Sequence, residues 1–243
     1  MGVNFSEVYE ITLGRYEQAF QNIEFRKSAL AHESRAISDV IPGFEADKLE
    51  FGSFAKENYA VLFVDMRMST KRAMEVGPEL TFLTMHVYLT ALLEIVRCYN
   101  GKVIDIMGDG LMVFWGGETA REEDHEYKCV AVQRAGLCGR DMLVARERVI
   151  NRIVGERKLG PSINIGVGVT FGSVIVTKIG VSDTYDVKAF GDCVNIASKY
   201  ASKANNQVYV SKKVMNKWPS SEGGKIRFDP ARLDGAYVLG SSS

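Results

Sequence analysis

The sequence has no excess of charge of either sign: 30 lysines and arginines balance 30 aspartates and glutamates. Zero formal net charge provides no electrostatic footprint for nucleic acid or for an anionic membrane surface. No apolar run stands out as approaching the roughly 20 residues that a membrane span takes, and the start lacks the basic-then-apolar order of a secretory leader. Cys98, Cys129, Cys138 and Cys193 have no close metal-type spacing and read as reduced thiols of a cytoplasmic protein. His32, His86 and His125 are isolated from one another, which argues against a histidine-built metal or acid–base site. What is present is a chain of 243 residues, 46% of them hydrophobic, enough to bury the core of one large domain.

Residues from about Ser6 to Asp39 read as a helical arm, with Tyr9, Leu13, Tyr16, Phe20, Ile23 and Leu30 in a mostly heptad stripe interrupted by Lys27. Such a stripe serves equally a helix packed on its own domain and an arm that pairs two chains. A connector, "IPGFEADKLEFGS" (Ile41 to Ser53), divides residues 1–50, arm and connector, from a domain over 51–240. "YAVLFVDM" has the β-rich continuity of a buried central strand. The following segment reads as a helix broken near Gly77-Pro78 and stopped at Asn100-Gly101. "VIDIMGDGLMVFW" gives two strands joined at Gly108-Asp109-Gly110 as a tight hairpin. A helix over about 121–154 follows, then "INIGVGVTFGSVIVTKIG" as two strands around a turn near Phe171-Gly172. "DCVNIASKYASKA" is a helix and "QVYVS" a strand. The order strand-helix-strand-strand-helix-strand predicts an α+β fold, a ferredoxin-like split βαβ sheet with helices on one face and an N-terminal helical arm.

Two acids stand at strand ends that this fold makes neighbours. Asp65 closes the first strand and Asp109 sits at the hairpin tip. Taken singly, Asp65 reads as a helix N-cap and Asp109 as a turn residue. Together they form a repulsive pair that a cation relieves, and magnesium takes carboxylates along with substrate phosphates. The adjoining "MRMST" turns from strand into helix, where backbone N–H groups with Ser69 and Thr70 suit a triphosphate and Arg67 adds charge.

"AVLFVDMRMST", "GKVIDIMGDGLMVFW" and "INIGVGVTFGSVIVTKIGVSDTYDVKAFGDCVNIASKYASKA" resemble three ordered blocks of the class III nucleotidyl cyclases, over roughly Tyr59 to Ser211. The resemblance implies a homodimer that makes a 3′,5′-cyclic nucleotide from a nucleoside triphosphate and releases pyrophosphate. It implies two Mg2+ or Mn2+ ions per site, held by Asp65 and Asp109 and touched by the carbonyl of Met66. Asn195 would orient the ribose. Lys199 stands where the family usually has an arginine that stabilises the transferring phosphate, and lysine keeps the charge without the fork. Gly172 and Gly191 match family glycines at turns. Met68-Ser69 replaces a small-aromatic pair, and the family's C-terminal phosphate-gripping lysine motif is not evident.

By the same resemblance Asp105 and Lys188 occupy the base-reading positions, in an order matching neither the adenine nor the guanine pattern. Asp105 accepts and Lys188 donates, which serves uracil, cytosine or guanine; a mutual salt bridge that reads no base is the other possibility. Tyr59, on the strand face of Asp65, and Met68 are expected to fill space and favour a single-ring base. With the wording of these motifs and the short arm, the chain looks like the bacterial pyrimidine cyclases of Pycsar anti-phage defence. That implies a uridylate or cytidylate cyclase, UTP first, and a separate effector that binds the cyclic product. An atypical guanylate or adenylate cyclase and a non-catalytic nucleotide-binding regulatory module are the alternatives.

Overall fold

In the central strand, alternate residues go to two different cores. The computed structural model describes residues 2–24, 40–41, 44–45, 50–117, 125–181, 184–219 and 226–241. After the short antiparallel pair β1 (Val40–Ile41) and β2 (Phe44–Glu45), β3 (Phe54–Met66) sends Ala60, Leu62, Val64 and Met66 to one side and Tyr59, Val61 and Phe63 to the other. Burial on both faces is why this strand reads as an unbroken apolar run instead of an alternating one.

The strand is followed by α2 (Ser69–Cys98), β4 (Lys102–Met107), β5 (Gly110–Gly116) and α3 (His125–Ala145). A π-helical turn over Arg146–Asn151, α4 (Arg152–Glu156) and the long β6 (Ile165–Val181) come next. Strand order β4-β5-β3-β6 with antiparallel neighbours is the expected βαββαβ core. α2 and α3 cover one face through Leu83, Val87, Tyr88, Ala135, Cys138 and Met142. The chain continues through β7 (Thr184–Phe190), α5 (Asp192–Lys203), β8 (Gln207–Ser211), α6 (Lys212–Lys217), β9 (Ile226–Pro230) and β10 (Ala236–Ser241). β8 joins β6 in parallel, so the sheet is mixed. A helix on the opposite face is the addition that the expected layout lacked: Cys193, Ala197 and Ala201 of α5 pack on Tyr59, Val61 and Phe63.

The expected turn near Phe171-Gly172 does not exist. β6 runs straight through it, with Gly172 opposite Tyr59, and turns back only into β7, a strand the sequence reading left out. Its glycines serve packing instead. A Cβ at Gly168 would lie 2.1 Å from the Ala197 carbonyl oxygen, and one at Gly166 would lie 2.1 Å from that of Ala201. Only glycine lets α5 approach this closely, because the obstructing atoms are backbone.

The break in α2 is present, with Gly77 at φ 81 and ψ 174 ahead of Pro78. By length and composition α2 is apolar enough to cross a membrane, which corrects the expectation that no segment is; here it packs its apolar side on the sheet. The arm is α1 (Phe5–Glu24), and its far part, with Lys27, Leu30 and His32, lies outside the described residues. Val8, Tyr16 and Ala19 are buried against this chain's own core. Arg148, Arg152 and Arg157 stack over Phe5, Tyr9 and Tyr16 at 5.8, 4.2 and 5.4 Å, forming three rungs between α1 and the π-helical turn and α4 region. The described part of the stripe thus packs at Tyr16 on the protomer itself, while Phe20 stays exposed.

Candidate active site

Asp65, the last residue but one of β3, lies directly opposite Gly110 of β5, which puts it beside Asp109 at the hairpin tip. The hairpin has a two-residue loop, Gly108-Asp109, between the paired Met107 and Gly110. Gly108 takes φ 64, the left-handed conformation that glycine adopts without penalty, and this turns Asp109 towards the sheet end. A β-bulge between Val103 and Asp105 shifts the register of β4. Strict alternation from Val103 would point Asp105 to the α2 side. The bulge instead sets Asp105 opposite Met112, whose side chain belongs to the core under α5.

The two acids interact. Burial pushes the Asp65 carboxyl above its ordinary value, the Arg67 guanidinium opposes this, and the Asp109 carboxylate raises it further through its charge and a shared hydrogen bond. Arg67 donates to Asp65 through Nη2 and to the Ser202 carbonyl through Nη1. Oδ2 of Asp109 is buried with no hydrogen-bond partner. A repulsive carboxylate pair with one unsatisfied buried oxygen fits a hard divalent cation. Among the described residues no group of three or more His, Cys, Asp or Glu side chains gathers as a metal site, so any cation here takes its remaining ligands from main chain, water or substrate. Met66, the last residue of β3, buries its side chain and leaves its backbone next to Asp65 at the sheet end.

Beyond it, Met68 adopts a left-handed φ of 57 and caps α2, while Ser69 and Thr70 begin the helix. Thr70 is exposed and Ser69 half-buried. Their N–H groups and that of Lys71 lie in the first turn, where a helix has donors to spare. A hollow of about 190 Å³ lies alongside, lined by Arg67, Met68, Lys71, Arg72 and Glu75 among others.

The base-reading candidates are arranged differently from the expectation. Lys188 Nζ pairs with Asp186 at 2.6 Å, and Asp186 is a residue the sequence reading missed. Its only signal is the i, i+2 spacing, which becomes legible once residues 184–190 are known to be a strand. The hydrogen bond to Asp186 chiefly holds the Lys188 ammonium above its ordinary value, and Asp105 adds to this as a neighbouring charge. Asp105 and Lys188 thus share a neighbourhood, but the direct ion pair belongs to Asp186. Tyr59 is a correction. Its ring has no exposed surface, stands 5.1 Å from Phe114, and lies in the core beneath α5, so it does not wall an opening in the protomer.

Asn195 and Lys199 are exposed on α5, one helical turn apart. Neither hydrogen-bonds to Asp65 or Asp109 among the described residues. A hollow of about 900 Å³ lies elsewhere, between the end of α5 and the approach to β10, where Lys203, Tyr209 and Arg232 line it.

Residues 53–232 match the family described as the adenylate and guanylate cyclase catalytic domain. A cytidylate cyclase of Staphylococcus aureus is 26% identical over 157 residues, covering 63% of this chain and 36% of that protein. A uridylate cyclase of Gulbenkiania mobilis is also 26% identical, over 226 residues, covering 86% of this chain and 84% of that protein. The chain spans 36% and 38% of the lengths of the cytidylate cyclases from S. aureus and Escherichia coli. Of solved structures, the guanylyl cyclase Cya2 superposes with a TM-score of 0.63 at 20% identity, over 78% of this chain and 94% of that one. The adenylyl cyclase CyaB from P. aeruginosa gives 0.62 at 19%, over 79% and 97%. At such identities the likeness shows the fold.

Proposed function

The chain belongs to the adenylate and guanylate cyclase catalytic domain family, and from that premise we propose that it converts a pyrimidine nucleoside triphosphate, UTP first, into the 3′,5′-cyclic monophosphate. The observation that carries the activity is the pair Asp65 and Asp109 at adjoining strand ends, with an unsatisfied buried oxygen on Asp109. When bound, two Mg2+ or Mn2+ ions would polarise the ribose 3′-hydroxyl and neutralise the triphosphate. Asp65 and Asp109, with the Met66 carbonyl, would hold them.

The chain's own residues supply positioning and charge, which is most of what phosphoryl transfer asks of a protein. The first turn of α2, with Ser69 and Thr70, receives the phosphates, and Arg67 has the reach to exchange Asp65 for them. Asn195 orients the ribose so that the 3′-oxygen lies in line with the α-phosphorus. The new bond forms there as the bond to the β-phosphate oxygen breaks, the hydroxyl proton passes to solvent and pyrophosphate leaves. Lys199 stabilises the charge on the transferring group. Asn195 and Lys199 project from α5 without meeting the acids of their own protomer, which supports a twofold homodimer in which each site takes its acids from one chain and its α5 residues from the other.

Asp105 and Lys188, with Asp186 fixing the lysine, form the base-reading group of this proposal. An acceptor beside a donor suits a pyrimidine edge. UTP is placed first because the uridylate cyclase relative matches over most of both chains. CTP is the second reading, favoured by equal identity to the cytidylate cyclases. A signal in anti-phage defence, read by a separate effector that binds the cyclic product, rests on the resemblance to the Pycsar-type cyclases. The test offers UTP, CTP, GTP and ATP together with Mn2+ and identifies products by mass. Cyclic UMP as the main product is expected. Cyclic GMP as the main product overturns the pyrimidine reading, and no cyclic product at all overturns the activity.

A further inference from the structure

Three carbonyls along one side of α5 meet alternate residues of β6. Ala201, Ala197 and Cys193 are four residues apart, so their carbonyl oxygens line up along the helix. Gly166, Gly168 and Thr170 are two residues apart and share one face of the strand. A Cβ at Gly166 or Gly168 would collide with the Ala201 or Ala197 oxygen. At the third position the residue changes from glycine to threonine, and the Thr170 hydroxyl donates to the Cys193 carbonyl at 2.7 Å. Four helical residues advance about 6.0 Å and two strand residues about 6.6 Å, so helix and strand stay in step over these contacts. One position further on, Gly172 leaves room for Cys193 itself, whose Cβ an added methyl would meet at 3.0 Å.

A carbonyl inside a helix already receives the N–H from four residues on, so α5 needs no hydroxyl to be satisfied. The bond from Thr170 is an added tie between two elements. Thr170 is only 1% exposed, and away from water such a bond is electrostatically stronger. The two glycines let the helix lie close, but bare backbone does little to specify where along the strand it rests. The hydroxyl does specify it. Asn195 and Lys199 project from the exposed side of the same helix, so the height and rotation of α5 decide where both point.

We propose that Thr170 is a positioning residue, its hydroxyl fixing the register of α5 on β6 and thereby the placement of Asn195 and Lys199. The proposal rests on the reading of those two residues as the contacts to ribose and transferring phosphate.

Thr170→Ser and Thr170→Ala differ from each other only in the hydroxyl. The test compares both with wild type in the full chain, beside Asn195→Ala. Steady-state kinetics with Mn2+ and the preferred triphosphate give kcat and KM, and amide hydrogen exchange over residues 192–197 is followed without nucleotide. Thr170→Ser is expected to match wild type in both. Thr170→Ala is expected to exchange about tenfold faster over those residues, the order of one lost hydrogen bond. Its kcat should fall about tenfold with KM within about twofold, since a misplacement of about 1 Å can cost about a hundredfold in rate. Wild-type turnover or wild-type exchange in Thr170→Ala overturns the proposal. An equal loss in the serine variant also overturns it, because the methyl group and not the hydroxyl would then be responsible. If Asn195→Ala turns over as wild type does, the ribose reading itself fails, and the proposal falls with it for a reason the Thr170 variants do not enter.

Discussion

Arg67 holds the Asp65 carboxylate with one guanidinium nitrogen and the Ser202 carbonyl with another, so a single side chain ties the end of β3 to the end of α5. Its charge sits where a cation paired with Asp65 and Asp109 would act. Arg67→Ala is expected to tighten Mn2+ binding in the absence of nucleotide. The pair is only partly buried, at 18% and 36% side-chain exposure, so the gain is about 1 kcal/mol, or about fivefold in affinity. With nucleotide present the same variant loses a phosphate partner, and the KM for triphosphate rises. Calorimetric titration of Mn2+ checks the first half and steady-state kinetics the second. Weaker Mn2+ binding by Arg67→Ala would show that Arg67 supports the cation site instead of competing with it.

The glycines of β6 set how closely α5 lies on the sheet. Gly168→Ala places a methyl 2.1 Å from a backbone oxygen of α5, and neither partner is a flexible side chain. A loss of about 3 kcal/mol or more is expected, at the upper end of overpacking, together with loss of turnover as Asn195 and Lys199 shift. Gly155→Ala is the control. It lies in α4 with nothing within 4 Å of the added methyl, and should be neutral or up to about 1 kcal/mol stabilising. Urea denaturation of both variants decides the matter.

Met68 carries a left-handed φ of 57 with a bulky, exposed side chain. That conformation costs a non-glycine residue about 1–2 kcal/mol, partly offset by the extra unfolded-state freedom that glycine would bring. Met68→Gly should therefore stabilise the protein by about 0.5–1 kcal/mol, while Met68→Ala, which keeps the strain, should leave it near wild type. Thermal melting separates the two. Equal melting temperatures for the glycine and alanine variants would mean that the turn carries no strain.

The homodimer can be tested by mixing. Asp65→Asn and Asn195→Ala should each abolish turnover by about a hundredfold or more while leaving the melting temperature close to wild type. Combined, they should recover part of the activity, since a heterodimer assembles one site with both halves intact. Full activity from a wild-type sample shown to be monomeric by light scattering would rule this arrangement out.

The sequence by itself determined the βαββαβ core and the meeting of Asp65 with Asp109. The signals there are local: continuous β-rich residues, a Gly-Asp turn and a helix broken at Gly77-Pro78. Strand pairing then follows from few topological choices. Only the tertiary structure decided which face Asp105 takes, because a bulge that leaves no mark in the residue pattern reverses it. It also decided that Tyr59 is core, since strand parity gives a face but not what covers that face. The run over Gly166, Gly168 and Gly172 reads locally as strand with a turn at its last glycine. Its purpose appears only when a helix about 25 residues later in sequence lies across it at backbone contact distance. The stripe on α1 fits a partner chain or its own domain equally well, because an apolar face specifies that it is buried and not against what. The arginines of the π-helical turn and α4, over 130 residues away in sequence, give Phe5, Tyr9 and Tyr16 partners on its own domain.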